Sequence, residues 1–159
     1  MNRLALATLA LALAAGPAAA QTHGGAMHGD HNPHHGGAVN MYGMIHYEIV
    51  VPPSGGVQVH ITDEMRNDLP ATAVSNLKAE IVRPNGAIEP VRMTINPTGE
   101  FWQGRSKPVT DPKSIVRVAF MLQREQVLVE MDGETFPDLL KAKAAAKPKA
   151  MPAGMHNGH

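Results

Sequence analysis

Residues 45–62 read IHYEIVVPPSGGVQVHIT, and their alternation decides the fold. Ile45, Tyr47, Ile49 and Val51 alternate with Met44, His46, Glu48 and Val50, the period-two pattern of a strand with one face turned inward. Pro52-Pro53-Ser54-Gly55-Gly56 is a turn, after which Val57, Val59 and Ile61 alternate with Gln58, His60 and Thr62. A turn centred on Ser54 pairs residues equally far to either side of it. Glu48 then lies opposite His60, with His46 as the diagonal neighbour on the same face.

Working outward, the same period returns in Leu77/Ala79/Ile81, Val91/Met93/Ile95, Phe101-Trp102, Val116/Val118/Phe120/Leu122 and Val127/Val129/Met131. Asn67-Asp68, Pro84-Asn85-Gly86, Asn96-Pro97-Thr98-Gly99 and Asp111-Pro112 separate these runs as turns. The pattern predicts an all-β fold, an immunoglobulin-like antiparallel β-sandwich of about seven strands, with disordered His/Met-rich tails. The expected organisation is a leader over 1–20, a flexible Gly/His/Met segment over 21–40, the sandwich over 41–136, and an Ala/Lys/Pro and Met/His tail over 137–159. Residues 139–146 suit a short helix.

The leader fixes the expected compartment. Arg3 precedes a Leu/Ala run with one Thr from Leu4 to Ala15, Gly16-Pro17 breaks it, and Ala18-Ala19-Ala20 forms a small-residue cleavage signature. The run is shorter than the roughly 20 residues a membrane span needs. Export to the periplasm with cleavage after about Ala20 is expected, leaving no later membrane span. Losing Arg3 from 14 basic residues leaves 13 against 14 acidic ones, a balance that offers nucleic acid no electrostatic footprint. The chain has no cysteine, so disulfides and thiolate metal sites are excluded.

Nine His and ten Met stand against three Phe and one Trp, an unusual supply of borderline and soft metal ligands. On the first hairpin, His46, Glu48 and His60 are spaced to converge on one ion, with Met44 in the same row and Met41 and His35 just upstream. A solvated polar face of an outer strand would carry the same alternation. Upstream, His28, His31, His34 and His35 read as a loose chelating tract. Cleavage after Ala20 also places His23 third from the new terminus, a square-planar nitrogen set for Cu(II) or Ni(II), unless Gln21 cyclises and removes the amine. Met155-His156, near Met151 and His159, repeats this chemistry at the other end.

Imidazole with thioether favours copper, Cu(I) or Cu(II), while zinc or nickel could use the same histidines. Met93 and Met131 read as core packing, Met65 and Asp63 as turn residues, and Trp102 as core. No nucleophile elbow, phosphate-cradling loop or H-E-x-x-H helix is present, and a binding protein is expected rather than an enzyme. A sandwich that serves adhesion or assembly without metal is the alternative from another class.

His35-Gly36-Gly37, Gly43, His46-Tyr47-Glu48, Gly55-Gly56 and Ile61-Thr62-Asp63 together resemble small bacterial periplasmic metal-binding domains that open on H-G-G and follow with an H-x-E strand. Those domains accompany copper or heavy-metal efflux systems. The resemblance covers about 30 residues and implies ligands at His35, His46 and Glu48. It further implies a metal ion as cargo, with an efflux component or a cuproprotein acceptor as partner. His60 departs from it, standing where an aromatic residue is expected. Copper sequestration or delivery, in metal homeostasis and resistance, is the function this implies.

Overall fold

A computed structural model describes residues 31–146. The strands are β1 (Ala38–Tyr42), β2 (Ile45–Val50), β3 (Val57–Thr62), β4 (Asp68–Leu69), β5 (Ser75–Val82), β6 (Ile88–Val91), β7 (Met93–Ile95), β8 (Phe101–Gly104), β9 (Ile115–Leu122) and β10 (Glu125–Asp132). A helix, α1 (Pro137–Ala146), follows them, close to the 139–146 span expected. The leader, His23, His28, Met155 and His156 lie outside the described residues. Within them, no helix is long and apolar enough to cross a membrane.

Two antiparallel sheets form a sandwich: β1-β2-β3-β8-β7, with β4 also on β3, against β10-β9-β5-β6. The order β2-β3-β8-β7 facing β10-β9-β5 is the strand arrangement of immunoglobulin constant-type domains, extended by β1 and β6 at the edges. β1 begins at Ala38, inside the segment assigned to the flexible tail, because it pairs along β2 from Ala38↔Ile49 to Tyr42↔Ile45.

The apolar faces are those the alternation predicts. Tyr47, Ile49, Val51, Val57, Val59 and Ile61 are buried from one sheet, and Leu77, Ala79, Ile81, Val116, Val118, Phe120, Val127, Val129 and Met131 from the other. Tyr47 meets Phe120 edge to face at 5.5 Å between centroids, which joins the two layers. Phe136 and Leu139 bring the start of α1 onto this core. Trp102 is half-buried and donates Nε1–H to the Ala71 carbonyl at 2.8 Å.

Candidate functional site: the covered face of the first hairpin

The predicted register holds. Glu48 pairs with His60 and His46 with Thr62, so His46 and Glu48 share the face turned away from the core. A polar face on an outer strand ordinarily meets water. Instead His46 and Glu48 are each 1 % exposed and His60 8 %, because residues 31–37 fold back over it as a strap.

The strap is fastened by main-chain donors. Glu48 Oε2 accepts the His34 N–H at 2.8 Å, and Oε1 accepts the N–H groups of His35 and Gly37, both at 2.8 Å. His35 Nδ1 lies 3.3 Å from Oε2, and the Arg66 guanidinium 3.9 Å from it. Burial alone would raise the Glu48 pKa, but the bonds from Gly37, His34 and His35 outweigh it and hold the carboxyl below its ordinary value. Arg66 also donates Nη2–H to the Asn32 carbonyl at 2.9 Å, gripping the strap one turn earlier.

The glycines of the H-G-G sequence have separate reasons. Gly36 sits at φ +80, where side-chain-bearing residues are strained, and Gly37 lies so close to β2 that a Cβ would fall 2.2 Å from the Ile49 carbonyl oxygen.

Two environments hold the histidines. His35 stacks on His60 with centroids 3.7 Å apart and planes 10° from parallel, and His60 stacks in turn on Phe101 at 4.6 Å. His60 is thus held between two rings as a stacking partner. Burial first, and then the neighbouring His35, push its pKa down to about 4 against the opposing pull of Glu48, Asp68 and Glu100. A ring nitrogen's lone pair lies in the ring plane. Two parallel rings at this spacing therefore cannot both reach one ion at the ~2 Å that imidazole ligation requires.

His46 is different. Its Nδ1 is 3.1 Å from the Asp63 carbonyl, which only accepts, so Nδ1 is the donor and the tautomer able to ligate carries its lone pair on Nε2. That Nε2 is buried and, like His60 Nε2, has no hydrogen-bond partner among the described residues. The exposed His31 ring meets the His46 ring edge to face at 5.4 Å, and Met41 pairs directly opposite His46 across β1 and β2. Directly paired residues share a face with Cβ atoms roughly 4.5–5.5 Å apart.

Among the described residues, no group of three or more His, Asp or Glu side chains is gathered to hold a metal ion. The reason is local: the Glu48 oxygens are occupied, and His35 and His60 are stacked. Met44, expected in the His46 row, sits in the β1–β2 turn and is 68 % exposed, and the His34 side chain is exposed beside its clasped amide. Met65 is also exposed, in the turn that Asp63 organises by accepting the N–H groups of Met65 and Asn67.

Sequence reasoning missed Arg66, the Asp63 carbonyl and the stacking role of Phe101. Only the pair of glycines after His35 signalled that a backbone approaches closely here. The fold and site define an all-β sandwich with a histidine-lined, strap-covered sheet face. No family model, curated protein or solved structure matches the chain.

Proposed function

We propose that this chain is an exported, periplasmic metal-binding protein that captures copper and sequesters it or passes it to an efflux component or cuproprotein acceptor. The observation that carries this reading is His46. A carbonyl orients its ring, its Nε2 is buried with no hydrogen-bond partner among the described residues, and it has a thioether residue opposite and a second imidazole beside it. Outer-shell bonding of one ring nitrogen to a backbone carbonyl is how metal-binding histidines are commonly fixed in tautomer and direction. Met41, His31 and His46 supply thioether and imidazole, the donor types that suit Cu(I). No catalytic role is assigned, and zinc or nickel is left as a measurable competitor for the same imidazoles.

The test is a competition titration of the full chain with Cu(I), Cu(II), Zn(II) and Ni(II), followed by dialysis and elemental analysis. Copper is expected to be retained, with one ion lost on His46→Ala while both His/Met-rich ends stay intact. Retention of the same copper content and affinity by His46→Ala would remove His46 from the site, and no retention at all by the unaltered chain would end the reading.

A further inference from the structure

The H-x-E glutamate is the obvious carboxylate ligand of this face, yet its surroundings give it other work. A carboxylate offers about four lone-pair positions. On Glu48 these face the amides of His34, His35 and Gly37 and the Nδ1 of His35, with Arg66 alongside. An ion could bind either oxygen only by displacing at least one of these donors, and a displaced main-chain N–H under the strap would be left without a partner. The side chain is also 2 % exposed, so water could not replace the lost bond cheaply.

We infer that Glu48 is a positioning residue, a clasp that holds residues 34–37 against β2, and that the ion bound at this face takes its ligands from imidazole and thioether groups alone. Through the strap, Glu48 sets where His35 stacks on His60 and brings the preceding His31 against His46. Removing the only carboxylate from the ligand set also decides specificity. A His/Met set without carboxylate favours Cu(I) over harder divalent ions. The ligand half of this inference rests on the copper reading above; the clasp half rests on the metal-free geometry.

The experiment compares the full chain with Glu48→Gln, Glu48→Ala and Met41→Leu. Two readouts are taken: amide hydrogen exchange of the metal-free proteins, and competitive titration with Cu(I) and Zn(II). In Glu48→Ala the amides of His34, His35 and Gly37 should exchange roughly ten- to hundredfold faster, the equivalent of losing one charge-assisted bond each. Glu48→Gln keeps one acceptor oxygen and should release only part of that set. If Glu48 only positions the strap, the Cu(I)-bound absorption envelope of Glu48→Gln should match that of the unaltered chain, and Cu(I) should stay preferred over Zn(II). Met41→Leu should lower Cu(I) affinity without touching amide protection.

Unchanged exchange at all three amides in Glu48→Ala would overturn the clasp, whatever the metal results. Intact amide protection in Glu48→Gln together with a lost or altered metal spectrum would make Glu48 a ligand and overturn the inference. If the unaltered chain binds neither ion, the copper reading fails and the ligand half with it, while the exchange data still decide the clasp. If Glu48→Ala fails to fold, the graded exchange of Glu48→Gln decides it.

Discussion

Replacing Gly37 by alanine tests how closely the strap lies on the sheet. The added Cβ would sit 2.2 Å from the Ile49 carbonyl oxygen, 2.8 Å from its carbon and 2.9 Å from Val50 Cγ2. Two of these atoms are backbone of β2, held in register between β1 and β3, and Ile49 is fully buried, so the sheet cannot give way. The strap must lift instead. Lifting it breaks the Gly37 N–H bond to the Glu48 carboxylate, a charge-assisted bond worth roughly 1.5–3 kcal/mol. Residual crowding adds roughly 1–3 kcal/mol. The total, about 2.5–6 kcal/mol, should appear as a lower urea midpoint at unchanged m-value.

Gly36→Ala is the internal control. Among the described residues nothing lies within 4 Å of its Cβ position, so the strain is that of the left-handed backbone at φ +80. That costs about 1–2 kcal/mol, and Gly36→Asn should cost less because asparagine tolerates this region. The expected order of destabilisation is Gly37→Ala, then Gly36→Ala, then Gly36→Asn. A Gly37→Ala protein no less stable than Gly36→Ala would refute the close approach and the clasp geometry with it.

Three further outcomes are expected. His60 titrates at about 4 in the fold against an ordinary 6.5, so between those pH values the unfolded chain takes up a proton that the folded one refuses. Stability should therefore be full above about pH 6.5 and fall by up to about 3 kcal/mol towards pH 4; Glu48, held low, adds a loss below the ordinary carboxylate range. His60→Phe keeps the stack without the titration, and urea midpoints of metal-free protein at pH 7, 6 and 5 should show a flatter slope; an equal slope would discard the assignment. Phe120→Ala removes a 1 % exposed ring that touches Tyr47 across the layers, and should cost about 3–5 kcal/mol by thermal or urea unfolding. Met41→Leu should weaken Cu(I) binding and leave Zn(II) binding unchanged in competition titrations, since only the soft ion depends on thioether.

The strands were legible because burial and period coincide in them. Tyr47/Ile49/Val51 and Val57/Val59/Ile61 repeat every second residue, and the turn at Ser54 fixed Glu48 opposite His60 without further information. The short strands β4 and β6 escaped the count of seven because two to four residues carry too little pattern, Val91 being read together with β7 as one run, and β1 escaped it because Ala38–Tyr42 straddles the end of the segment read as flexible. The covering of His46 and Glu48 was not legible either. It depends on a Gly-rich segment with almost no apolar side chain, held by its own amides to one carboxylate, and main-chain donors leave no mark on composition. Arg66 was invisible for a related reason: its left-handed backbone and its reach to Asn32 exist only once the 63–67 turn has formed.

The fastening of the strap to Glu48 runs mostly through peptide nitrogens, and every residue except proline supplies one of those. At position 34 the architecture asks for an N–H and nothing more, so the imidazole there is surplus to construction. Swapping His34 for serine or lysine should leave the scaffold standing. Variation at position 34 can therefore alter the chemistry of the outer surface without altering the main-chain bond that closes it.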